Sequence, residues 1–161
     1  MSNRTLYFVS LVMVALALAP AMAHLLELPN KMQLTRADYL TVQQIYRGWA
    51  LLGIVVFGAL LATGTLAVCV RHRRRAFAFA LLSFLCLAGT QAIFWTYTYP
   101  ANQATGNWTV LPEQWQALRR QWELSHAASA VLNLGAQIML VSSVLSRDNA
   151  PPVASERPRR R

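Results

Sequence analysis

Charged residues are scarce where this chain is most apolar. Four stretches, Thr5 to Ala23, Gly48 to Val70, Ala76 to Tyr99 and Ala127 to Leu145, contain no Asp, Glu, Lys or Arg. Each is close to the roughly twenty residues needed to cross a hydrocarbon core. With 55% hydrophobic and 13% charged residues, the chain is excluded from the ordinary soluble domains and reads as one compact membrane domain. Cysteine is nearly absent. Cys69 and Cys86 sit in different apolar runs without a C-x-x-C pairing, which argues against a disulfide framework and against a membrane thiol oxidoreductase; both read as small core residues. There is no internal repeat and no strand alternation. Acidic residues number six against fifteen basic ones, a net charge of +9, but ten of the fifteen bases stand in short clusters bordering the apolar runs. That is the footprint of a topology signal, not of nucleic-acid binding.

The expected fold is therefore all-α, a four-transmembrane-helix bundle with spans at about 5–28, 46–70, 76–99 and 122–145 inside a domain of residues 1–146. The turn Arg71-His72-Arg73-Arg74-Arg75 must lie on one side of the membrane, and the positive-inside rule assigns it to the cytoplasm. Alternation then makes the N- and C-termini cytoplasmic and places residues 24–47 and 99–123 outside, leaving +8 inside against +1 outside. A multi-pass protein of a bacterial inner membrane is the expectation, with the lipid bilayer as partner and a homo-oligomer compatible with the pattern. Residues 147–161, rich in proline and arginine, read as a disordered basic cytoplasmic tail near anionic headgroups. Arg4, the run from Leu6 to Ala19 and Ala21-Met22-Ala23 also fit a signal peptide cleaved after Ala23. Because the apolar character continues through Leu25, Leu26 and Leu28, the reading adopted is an uncleaved first span, kinked near Pro20.

Outside the spans, Thr35 and Asp38 resemble a capping box that opens a helix running through Tyr39, Val42, Tyr46 and Trp49 into the second span. Pro112 suits the first turn of a helix continuing from Glu113 into the fourth. Residues 100–111, with Pro100, Asn102, Gly106 and Asn107, read as a loop or lid over the outer face.

The chemistry gathers at that outer end. His24 and Glu27 are three residues apart and share a helical face; Glu123 and His126 repeat the spacing in reverse where the fourth span begins. Alternation brings both pairs to one depth. At about 100° per residue, Trp115, Arg119, Trp122, Glu123, His126, Asn133 and Gln137 fall within one arc of the fourth helix. On the third, Phe84, Gln91, Trp95 and Thr98 make a comparable stripe leading up to Asn102. Facing each other, the two stripes would enclose a polar cleft open to the outside, because intramembrane polar groups need partners. All five tryptophans, Trp49, Trp95, Trp108, Trp115 and Trp122, lie toward the same side, which suits a pocket for a flat apolar or aromatic molecule as well as it suits an interfacial belt. The blander reading makes the His/Glu pairs intrahelical ion pairs and Asn133 and Gln137 interhelical glue.

From about His24 to Leu145 the chain resembles the anthrone oxygenase-like family of small four-helix membrane proteins, in its bacterial branch of mostly unassigned activity. The resemblance rests on Ala23-His24-Leu25-Leu26-Glu27-Leu28-Pro29-Asn30-Lys31-Met32, on Phe94-Trp95 through Tyr99-Pro100-Ala101-Asn102 and Trp108, and on Trp115 through Arg119-Arg120-Gln121-Trp122-Glu123-Leu124-Ser125-His126. Fungal and actinobacterial relatives are associated with oxygenating anthrones to anthraquinones. The resemblance implies a membrane oxidoreductase of that kind, acting on an apolar, phenolic or quinoid substrate.

Two mechanisms suit the residues. Without a metal, His126 or His24 would take a proton from an activated CH₂ or phenol, with Arg119 stabilising the oxyanion. With one divalent metal ion, zinc, iron or manganese, the ligands would be His24, Glu27, Glu123 and His126. Gln91, Trp95, Asn102, Trp108, Trp115, Trp122, Asn133 and Gln137 are the candidate substrate-binding residues. The rival reading, a non-catalytic membrane protein that binds lipid or quinone or serves as an accessory subunit, predicts the same cleft.

Overall fold

The computed structural model describes residues 3–146, so the basic tail read from the sequence lies outside the described residues. Among them every regular element is helical. Four long helices form the frame: α1 (Asn3–Lys31), α3 (Leu52–Cys69), α4 (Arg74–Ile93) and α6 (Trp115–Leu145). Each is apolar enough, and long enough with its flanking turns, to cross a membrane. The short α2 (Arg36–Gln43) and α5 (Tyr99–Ala104) cap one end.

The four long helices close into a ring in which α1 packs on α3 and α6, and α4 packs on α3 and α6. Small side chains let the backbones approach: Ala59, Ala67, Ala76, Ala80 and Ala136 are buried among Leu6, Val14, Leu66, Leu87 and Leu140. Short hydroxyls tie the same end together. Tyr7 and Ser143 share a hydrogen bond of 2.9 Å, Ser143 donates to the Ala76 carbonyl at 2.8 Å, and Ser83 donates to the Ala136 carbonyl at 2.9 Å. These contacts put the start of α1, the end of α6 and the arginine-rich turn between α3 and α4 at one end of the bundle. His24 and Glu123 stand at the other.

The segment from residue 3 to Ala23 supplies Leu6, Tyr7, Ser10, Val14 and Ala17 to the buried interior, and α1 runs without a break through Pro20 and Pro29 to Lys31. Each proline lacks the N–H that would bond a carbonyl one turn earlier.

Three boundaries differ from the sequence reading. The helix opened by Thr35 does not run into the second span. Thr35 does cap it, accepting from the Asp38 amide and donating to the Asp38 carboxylate at 2.7 Å, but the chain turns at Arg47–Gly48, with Gly48 at φ +88°, a conformation that favours glycine. The last helix begins at Trp115, not beside Pro112, which instead accepts from the Trp115 amide at 3.0 Å in a turn. Residues 100–111 are only partly loop. The third long helix continues through a π-helical turn at Phe94–Thr98 into α5, and only then does the chain reverse, with Gly106, Asn107 and Trp108 all at positive φ.

The π turn has a consequence for the expected stripe. Its extra residue rotates the helix face, so Thr98, not Trp95, is buried against α6, sharing a 2.8 Å hydrogen bond with Ser125. Trp95, expected inside, is 56% exposed and packs on Phe94 and Tyr99.

Candidate functional site: an aromatic cavity around two stacked histidines

A cavity of about 700 Å³ opens between the four long helices below the α2 and α5 cap. Its floor is set by Ala17, Thr90 and Asn133, and its wall carries His24, Tyr46, Trp49, Trp108, Trp122 and His126. The two histidines meet there. Their rings stack with centroids 4.2 Å apart and planes 25° from parallel. The edge of Trp122 meets His24 at 5.1 Å and His126 at 4.2 Å, while Tyr46 lies 4.6 Å from His24. Stacked imidazoles this close resist being charged together, so at least one stays a free base.

The carboxylates of the two pairs go elsewhere. Glu123 is wholly buried, with an ion pair of 2.8 Å to Lys31 and a 3.0 Å hydrogen bond from the Tyr39 hydroxyl. Glu27 lies 3.9 Å from the same ammonium and accepts from the Tyr46 hydroxyl. Lys31 also donates to the Tyr46 oxygen at 3.0 Å and sits over the Trp122 ring. Burial and the adjacent Glu123 carboxylate push the Tyr39 hydroxyl far above its ordinary range, and burial with the Glu27 carboxylate does the same to Tyr46. Both stay protonated donors.

The four expected metal ligands are thus at one level but do not close on one ion. No group of three or more His, Cys, Asp or Glu side chains among the described residues is placed to hold a metal; Lys31 and Tyr39 hold Glu123 through Oε1, and Lys31 and Tyr46 hold Glu27 through Oε2. Arg119, expected to stabilise an oxyanion, is also not on the cavity wall. Its guanidinium donates to the Lys31 and Leu34 carbonyls at 3.3 and 2.9 Å and lies over Trp115 and Tyr39, so it fastens the end of α1 to α6. Of the expected substrate-binding residues, Gln91, Trp95, Asn102, Trp108, Trp122 and Asn133 line the cavity, whereas Trp115 and Gln137 do not.

Asn102 orders the wall. Its side-chain oxygen accepts from the indole N–H of Trp122 at 2.8 Å and of Trp108 at 3.2 Å, fixing two rings with one amide. Lys31, Tyr39, Gln43 and Tyr46 are the site residues that sequence reasoning missed. One signal was present for Lys31: it lies four residues after Glu27 and seven after His24, on the same helical face.

Comparison of the chain with protein-family models, with curated proteins and with solved structures gave no match.

Proposed function

We propose that this is a multi-pass protein of a bacterial inner membrane, with its arginine-rich turn cytoplasmic and its histidine-bearing cavity outward. In this reading the cavity binds a flat, apolar phenolic or quinoid molecule and acts on it as an anthrone oxygenase-like oxidoreductase. The membrane part is supported by Phe8, Leu16, Ile54, Leu61, Val131 and Leu145, large apolar side chains left exposed around the bundle, and by the cluster Arg71 to Arg75 at the end opposite the cavity. A reporter inserted beside Gly106 is expected to read the outer side and one in the Arg71 to Arg75 turn the cytoplasm; the reverse result would overturn the orientation.

The observation that carries the chemistry is the stacked pair His24 and His126 inside an aromatic wall. A CH₂ flanked by aromatic rings and opposite a carbonyl gives up a proton to a free imidazole. Dioxygen then accepts the electron pair as a C–O bond forms, and loss of water from the resulting hydroperoxide leaves a second carbonyl, so that one O₂ is consumed and one water released. The test is oxygen uptake by the purified chain with anthrone as probe, expected at one O₂ per carbonyl formed. Anthrone bound without oxygen consumed would favour the binding-protein reading, for which the turning of every carboxylate and of Arg119 away from the cavity is the supporting observation.

A further inference from the structure

The hydrogen-bond polarity of the cavity wall can be read from its outer edge inward. The Glu123 carboxylate is paired with Lys31 and takes a hydrogen bond from Tyr39, so the Tyr39 hydroxyl spends its proton there. Its oxygen is then left to accept, and it accepts from Gln43 Nε2. That fixes which end of the Gln43 amide is which, and Oε1, buried and without a protein donor, is the end to spare. The same logic applies deeper in. Asn133 donates from Nδ2 to the Ser129 carbonyl at 2.9 Å, so its spare atom is also the oxygen, again buried and without a donor. His24 Nδ1 is the third such atom, and it accepts when the ring's proton is on Nε2.

All three side chains line the cavity, and each is more than nine-tenths buried. Gln43 is held at the level of Glu123, and Asn133 stands two turns further along α6 than His126, so the two amides bracket the imidazole pair. Among the described residues on this wall no other buried atom in the same state is a donor, so only the Nδ1–H tautomer of His24 would add one. A buried acceptor without a donor costs about 1–3 kcal/mol, and the chemistry that relieves it is a ligand bearing O–H groups.

We propose that the cavity is selective for the hydroxyl-bearing, reduced form of its aromatic ligand, a dihydroxyarene, over the corresponding quinone, and that Gln43 and Asn133 read the hydroxyls. This rests on the reading of the cavity as a site for a small aromatic molecule. A quinone offers only acceptor oxygens and meets like with like, whereas a dihydroxyarene donates to both kinds of atom on this wall.

The test is anaerobic calorimetric titration of the full-length chain in detergent with 1,4-dihydroxynaphthalene and with 1,4-naphthoquinone, for the native sequence and for Gln43→Leu with Asn133→Leu. The native chain is expected to bind the dihydroxy form at least about tenfold more tightly, the ratio that one recovered buried acceptor supplies, and the double variant, which keeps only His24 Nδ1 as a spare acceptor, is expected to lose most of that preference. Equal binding of both probes by the native chain, or a preference for the quinone, would overturn the selectivity and leave the cavity reading standing. An undiminished preference in a folded double variant would overturn the role of the two amides. Failure of the native chain to bind either probe would remove both the selectivity and the aromatic site on which it rests.

Discussion

Replacing Lys31 by Met is expected to destabilise the folded chain by about 3–5 kcal/mol, the range for removing one partner of a buried ion pair. Met keeps the apolar stem of the side chain but deletes the ammonium, and Glu123, fully enclosed, would then face the interior with only the Tyr39 hydroxyl in support. Glu27 has a different exposure, with 38% of its side chain accessible, so water replaces part of what it loses. The expected ordering of variants follows. Glu27→Gln costs little, Lys31→Met costs most, and Lys31→Met combined with Glu123→Gln recovers a large part of the loss because no charge remains to be buried. Unfolding by denaturant in detergent measures it. A single variant as stable as the native chain would show that the ammonium is not what neutralises Glu123. The double variant is the more telling comparison, since a loss equal to that of the single variant would mean that packing around Lys31, not charge, was being measured.

How far the sequence discloses this arrangement depends on whether the relevant pattern is local. The four long helices are legible because each is a charge-free run of spanning length, and the meeting of His24 with His126 is legible because alternating spans bring both to one end. The arc of α6 is legible for the most part: Trp115, Arg119, Trp122, Glu123 and Asn133 share a face by periodicity and are buried, while His126 and Gln137 on the same arc are half-buried. What each of them faces is not. Arg119 and Glu123 are one turn apart on that arc, yet Arg119 is used by backbone carbonyls of α1 and its exit, while Glu123 is used by Lys31, whose place in the chain reads equally well as a surface charge. A pairing across 92 positions leaves no periodic trace. The break at Gly48 is hidden for a similar reason, because Tyr39, Val42, Tyr46 and Trp49 keep a helical spacing that the chain does not follow. The π turn at Phe94–Thr98 has no signature of its own, and of the two residues expected inside there, Thr98 is buried while Trp95 is turned outward. A metal reading of the His and Glu residues depended on four side chains turning the same way; tyrosine hydroxyls and one ammonium, absent from that count, turn two of them aside.

If the imidazole pair does the chemistry, His24→Ala and His126→Ala are each expected to lower the rate of anthrone oxygenation by about 10²–10⁴-fold, the usual contribution of a positioned general base. Because the rings are stacked at 4.2 Å, each holds the other in place, so the two losses are not expected to multiply. The double variant falls about as far as the worse single one, which is the behaviour of groups that act as a unit. A conservative exchange separates base from spacer. Phe at position 126 keeps a flat ring in contact with His24 and Trp122 but has no nitrogen to accept a proton, so a rate as low as that of His126→Ala assigns the loss to proton transfer. Rates restored by Phe would assign it to packing. Binding of anthrone should change little in any of these variants, since the wall retains Trp108, Trp122 and Tyr46. The decisive measurements are therefore the rate at saturating anthrone and the affinity, taken separately. A fall in affinity with the rate intact would place the histidines in recognition and end the general-base assignment.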